Sequence, residues 1–230
     1  MKTIVACVFF FVIYFAANGQ SFAIINDKDG YVNIRESRSI TSRIVGKIKN
    51  DSIFSYDESD KSDWVRVYPQ DAEVESGGTA GFVHKSRILP LSTFKTIKNT
   101  LFFRDSCITR NDSLVVIIKS SSFNPAKHKL FYVDKELRKI DGKAFWGTDG
   151  EVPTKTISSL KIVKKGVAIP IPQSAIDNLY EPRFKTLKVF AGSNDAIYIE
   201  LDNSDGAGAY SIIWIVKGNK YFKKFIVSNA

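Results

Sequence analysis

Cysteine is nearly missing from this 230-residue chain: Cys7 and Cys107 are the only two. Cys7 sits in the apolar run at the start, so a chain cut after that run keeps a single thiol. No internal disulfide can then form. That excludes a disulfide-stapled scaffold and leaves hydrophobic cores to hold the fold. Histidine is equally scarce, with only His84 and His128. Two histidines in separate halves and one cysteine are too few for a zinc site, so no metal and no cofactor is expected. Helical periodicity is almost absent. The one candidate is 173–179, after Pro170 and Pro172, with Ser174 as N-cap.

Long apolar runs are confined to the N-terminus. Residues 4–17 are apolar with one tyrosine, shorter than the roughly 20 residues a membrane helix needs. Lys2 precedes the run and Ala17-Asn18-Gly19 ends it with small residues, so 1–19 reads as a secretory signal peptide. Ile4-Val5-Ala6-Cys7 superficially fits a lipoprotein signal, but Cys7 precedes the apolar core where a lipobox should follow it. The rest of the chain has no transmembrane segment by this reading. It is expected to be soluble and exported, periplasmic or extracellular.

The net charge of +9 is unevenly spread. Residues 20–91 hold 10 Lys+Arg and 11 Asp+Glu, whereas 92–230 hold 22 and 13. Export argues against nucleic acid as the partner of the basic part. Attraction to anionic envelope components is the functional alternative, and solvated lysines on strand faces the bland one.

Strand signals are what the chain does contain. Short runs rich in Val, Ile, Phe, Tyr and Thr recur between Gly, Asn, Asp and Ser. They fall at 53–56, 64–68, 114–119, 129–133, 159–163, 187–190, 196–201, 210–216 and 221–227. The expected class is all-β with little helix. A boundary near Pro90-Leu91-Ser92 gives one domain at 20–91 and a basic β-rich domain at 92–230.

In the first domain, Trp64-Val65-Arg66-Val67-Tyr68 alternates. Period two sends Val65 and Val67 to a core and Trp64, Arg66 and Tyr68 outward. Five further pieces keep a consistent order: Val32-Asn33-Ile34-Arg35, Ser37-Arg38-Ser39, Ile44-Val45-Gly46-Lys47-Ile48, Asp63-Trp64-Val65-Arg66-Val67, and Gly81-Phe82-Val83-His84 with Ile88. Over 23–90 they resemble a bacterial SH3-like domain. Phe82 stands where that family usually has tryptophan, and the loop 69–80 is longer and more acidic (Asp71, Glu73, Glu75). The resemblance implies a small barrel that binds peptides or cell-wall fragments. The binding candidates are Tyr31, Arg35, Tyr56, Trp64, Tyr68 and Phe82. The structural alternative for Trp64 and Phe82 is that they cover the barrel, and His84 reads as a strand-end polar residue.

The second domain is expected to be an antiparallel, sandwich-like unit. Its last three strands meander, and Lys217-Gly218-Asn219-Lys220 forms a tight hairpin turn. Asp202-Asn203-Ser204-Asp205-Gly206-Ala207-Gly208-Ala209 lacks the carboxylate spacing of a calcium loop and the lysine of a phosphate loop, so it reads as structural. Should it meet the loop Trp146-Gly147-Thr148-Asp149-Gly150-Glu151, then Trp146, Asp149, Asp202, Asp205 and Tyr210 would rim a second site. Ile140-Asp141-Gly142-Lys143, Trp146-Gly147-Thr148-Asp149 and Asp205-Gly206-Ala207-Gly208-Ala209-Tyr210, with Trp214 and Tyr221, resemble an uncharacterised C-terminal region of secreted bacterial proteins. That resemblance implies no activity.

Catalytic sets are thin. Cys107 and His128 are the only thiol–imidazole pair in this domain, and Cys107 lies at a loop-to-strand step rather than at a helix start, where a dipole would lower its pKa. The expected function is therefore non-enzymatic: binding of a peptide, a peptidoglycan fragment or an envelope protein. Two alternatives stay open, an envelope polymer hydrolase and an inhibitor or structural partner of another secreted protein.

Overall fold

A computed structural model describes residues 21–58, 61–70, 80–204 and 206–229. The signal segment 1–19, the acidic residues Asp71, Glu73 and Glu75, and Asp205 lie outside the described residues. The protein is all-β. Among the described residues the helical pieces are three-residue 3₁₀ turns.

The first seven strands are β1 (Ser21–Ile25), β2 (Tyr31–Arg35), β3 (Ile44–Lys49), β4 (Ile53–Tyr56), β5 (Trp64–Tyr68), β6 (Gly81–His84) and β7 (Ile88–Pro90). They form one antiparallel sheet in the order β3-β2-β6-β5-β4-β1-β7. The ladder does not close: β3 and β7 are its two ends, so the small barrel expected here is an open, curled sheet. Its own core is Ala23, Ile25, Val32, Ile34, Ile48, Phe54, Tyr56, Val65, Val67 and Val83. The alternation read in 64–68 is what builds it, since Val65 and Val67 are fully buried.

The remaining strands are β8 (Lys95–Thr96), β9 (Thr100–Phe102), β10 (Ser106–Arg110), β11 (Leu114–Ser122), β12 (Leu130–Val133), β13 (Glu136–Ile140), β14 (Lys155–Lys164), β15 (Val167–Ile169), β16 (Lys188–Ala191), β17 (Ala196–Asn203), β18 (Tyr210–Lys217) and β19 (Lys220–Ser228). They make a five-stranded sheet β19-β18-β17-β16-β8, a second five-stranded sheet β15-β14-β11-β10-β9, and a separate ribbon β12-β13.

The sheet containing β17 and β18 is the middle layer of three. Tyr210, Ile212, Trp214 and Val216 join Ile197, Ile199 and Leu201 against Val116, Ile118, Leu160 and Ile162 of the other five-stranded sheet. Ile213, Ile215, Tyr198 and Phe190 turn the other way and pack on Phe22, Ile24, Ile53 and Leu91. Packing therefore runs across residue 91. Two polar links join the same layers: Lys217 Nζ to Asp51 Oδ2 at 3.1 Å, and the Gln70 side-chain amide to the Ile226 carbonyl.

The helix expected at 173–179 does not form. Only Gln173–Ala175 makes a 3₁₀ turn, capped by Pro172 and not by Ser174. Asn178 takes a left-handed φ of 62°, and Leu179 bridges to Trp146. The apolar residues Ala175, Ile176 and Leu179 enter the core from this irregular segment instead. Trp214 ties it down, its indole N–H donating to the Ala175 carbonyl at 2.7 Å.

Candidate ligand-binding groove

Strand β2 alternates as β5 does. Val32 and Ile34 point inward, while Tyr31, Asn33 and Arg35 share the outer face. Trp64 pairs with His84 across the β5–β6 ladder, so both emerge on that same side. These side chains converge. A groove of about 140 Å³ is lined by Asp29, Tyr31, Val32, Asn33, Arg35, Ile40, Trp64, Val83, His84 and Arg87. All of them lie between 29 and 87, and no described residue of the C-terminal layers lines the groove.

Local contacts hold the walls. The Trp64 and His84 rings meet edge to face, centroids 5.4 Å apart at 89°. His84 Nδ1 lies 2.7 Å from the Ser86 hydroxyl. Lys47 Nζ sits 4.4 Å from the Tyr31 ring centroid. Arg35 Nη1 donates to the Ser42 carbonyl at 2.7 Å, which pins the loop carrying Ile40 and leaves further guanidinium donors. Arg87 pairs with Asp27, whose side chain is 5% exposed. The Asp29 backbone N–H, then Arg87, hold the Asp27 carboxyl below the usual range against the opposing effect of burial. Asn33 Oδ1 is buried and has no hydrogen-bond partner among the described residues. An unsatisfied buried acceptor costs stability.

Of the six candidates, Tyr31, Arg35 and Trp64 line this groove. Tyr56 does not, because it is 6% exposed and belongs to the core. Burial pushes its phenol up to about 12. Tyr68 is 41% exposed but stands at the far end of β5, with Arg66 over its ring at 5.7 Å. Phe82 faces outward between Arg35 and Arg66 in register, under the Arg38 guanidinium at 5.1 Å. Sequence reasoning missed Asn33, His84 and Arg87 as lining residues. Asn33 was available from period two alone. His84 required the β5–β6 register, which no single strand reveals.

Among the described residues, the two loops of the second set come together. The loops do meet: Ser204 donates to the Gly147 carbonyl at 2.7 Å, and a Cβ at Gly208 would lie 2.6 Å from the Thr148 backbone. Glycine at 208 is what allows that approach. Tyr210 is fully buried, its hydroxyl donating to the Tyr180 carbonyl at 3.0 Å, with the Trp146 ring 6.1 Å away. Asp202 accepts from the Ser211 hydroxyl and lies 3.8 Å from Lys188 Nζ. Asp149 is exposed, and Asp205 lies outside the described residues. Among the described residues Tyr210 is packed inside this junction, and Asp149 stands at its exposed side.

Cys107 is fully buried, and desolvation pushes its thiol up to about 12. A thiol so raised stays protonated at neutral pH and is a poor nucleophile. His128 stacks on Phe123 at 4.6 Å and contacts Asp141 at 2.7 Å. Among the described residues no group of three or more His, Cys, Asp or Glu could hold a metal ion. No helix among them is long and apolar enough to cross a membrane. The chain matches no known protein family, no curated protein and no solved structure.

Proposed function

We propose that this is an exported, non-enzymatic binding protein whose N-terminal sheet, SH3-like in its motifs, takes up one side chain or end group of a peptide or cell-wall peptide fragment. The observation that carries the reading is the convergence of Tyr31, Trp64 and His84 with Arg35 around one groove. Aromatic faces take the apolar body of a ligand, and the guanidinium takes a carboxylate or carbonyl. Size limits the choice. Pockets for drug-sized ligands run to roughly 300–1,000 Å³, and an engineered cavity of about 150 Å³ admits one benzene-sized group. At about 140 Å³ the groove suits one residue of a longer chain that continues over the surface.

The test is retention on peptidoglycan and on its isolated stem peptides, with soluble fragments assayed in the same samples. Retention that falls at least tenfold in Trp64→Ala and Tyr31→Ala, with no fragment release, supports the proposal. Retention unchanged in both folded variants overturns the site. Release of fragments overturns the non-enzymatic reading.

A further inference from the structure

The β12–β13 ribbon has only two strands and stands apart from the three layers. Leu130, Leu137 and Ile140 anchor it on Phe123 and Tyr180. Yet Phe131, Tyr132 and Val133 remain 54%, 46% and 44% exposed. Single exposed apolar residues are ordinary, but three in a row on a ribbon edge form a patch. Phe131 pairs with Lys139 and Tyr132 with Leu137, and the register shifts between the two pairs, which interrupts the regular alternation of faces.

Positive charge is in excess around this patch, with one exposed carboxylate, Asp134, in the turn. Lys127, Lys129, Lys135 and Lys139 are exposed and form no ion pair among the described residues. The nearby carboxylates are largely taken, Glu136 by Arg138 and Asp141 by His128. Two open clefts share Lys129. One, about 360 Å³, lies between Lys129, Leu130, Phe131, Lys139 and Gly142. The other, about 510 Å³, runs along Lys127, His128 and Asp141.

We propose that this ribbon docks the protein on an anionic lipid bilayer, with Phe131 and Tyr132 in the headgroup region and Lys127, Lys129 and Lys139 against the phosphates. The argument for this occupant is charge complementarity: exposed lysines without ion pairs among the described residues stand beside exposed aromatic rings, and an anionic leaflet offers phosphates to the first and an interfacial layer to the second. The Tyr132 ring, with its one polar end, suits headgroup depth, and Phe131 adds an apolar ring beside it. The turn Asp134-Lys135, with φ of 49° and 70°, is charged and keeps the docking shallow. Each lysine near an anionic leaflet strengthens binding about fivefold.

The experiment is co-sedimentation with vesicles of phosphatidylglycerol and phosphatidylcholine against vesicles of phosphatidylcholine alone, every variant carrying the same N-terminus. Binding should favour the anionic vesicles and weaken as salt rises. Lys129→Gln with Lys139→Gln should lower it at least tenfold, and Phe131→Ala with Tyr132→Ala by a similar factor, at unchanged melting temperature. No preference for anionic vesicles, or binding indifferent to both double variants, overturns the proposal. So does a concentration-dependent dimer that the same substitutions dissolve, which would assign the patch to a second copy of the chain.

Discussion

In β5 every second side chain is buried, and Trp64, Arg66 and Tyr68 are left facing outward. In β18 all seven residues from Tyr210 to Val216 are buried. Both are antiparallel strands in the middle of their sheets. They differ in how many layers cover them. The β18 sheet lies between two neighbours, so each of its faces enters a core. The N-terminal sheet lends Phe22, Ile24 and Ile53 to the shared core and wraps the rest around its own, and among the described residues no second layer covers the outer faces of β2, β5 and β6. Side chains free of packing duty are the ones available for binding. Substitutions in β18 should therefore cost stability, and those around the groove should cost recognition.

The strongest challenge to that contrast is Trp214→Ala. It empties a fully buried site and orphans the Ala175 carbonyl. The expected loss is about 3–5 kcal/mol, a large part of the roughly 5–15 kcal/mol that holds a typical domain. Chemical denaturation should show the midpoint falling by a corresponding amount, with both halves of the chain unfolding together because they share a core. Two separate transitions would break the comparison.

Gly81→Ala probes the support beneath the groove. A Cβ there would stand 2.5 Å from Ile34 Cγ2 and 2.7 Å from the Arg35 carbonyl oxygen. Backbone must move, at a cost of about 1–3 kcal/mol. The displaced strand is β2, so ligand retention should weaken along with the melting temperature.

Acidification separates the two regions by sign. Asp27, in the N-terminal sheet, has its carboxyl held low, chiefly by the Asp29 backbone N–H and also by Arg87. Its contribution is present above the unfolded value, roughly pH 3.9, and is lost as pH falls through the lower folded value. Glu200, in the central sheet, is pushed up by burial, although Lys188 Nζ at 2.6 Å opposes the shift. Its ionised form is disfavoured in the fold, so that cost is relieved as pH falls through the raised folded value. Melting temperatures of Asp27→Asn and Glu200→Gln, each subtracted from the parent across pH 7 to 3, should drift in opposite directions. Drifts of one sign would refute the assignment.

The strands were legible in the sequence because period two and β-branched residues mark them locally: seven of the nine expected runs lie wholly on strands, and 129–133 and 187–190 start one residue before theirs. Their ends were less so. β11 continues through Ser120, Ser121 and Ser122, and β14 opens with Lys155 and Thr156. Those polar residues stay extended because each pairs with the other strand, as Ser121 does with Thr156. The layering was hidden for the same reason: the alternation of Phe22, Ala23, Ile24 and Ile25 between two cores depends on what covers each face. Tyr56 illustrates the consequence for the site. By composition it matched Tyr31 and Tyr68, and only the curl of the sheet turned it inward.

The smallest expected change in stability is the most telling one. Trp64 is half-buried and meets His84 edge to face, a contact contributing about 0.5–1.5 kcal/mol. Trp64→Ala should therefore lower the melting temperature by only a few degrees, since 1 kcal/mol corresponds to about 2–4 °C in a chain of this size. Retention on peptidoglycan should fall at least tenfold in the same protein. A large drop in stability with retention preserved would place Trp64 among the structural residues and make the uncovered face no different in kind from β18.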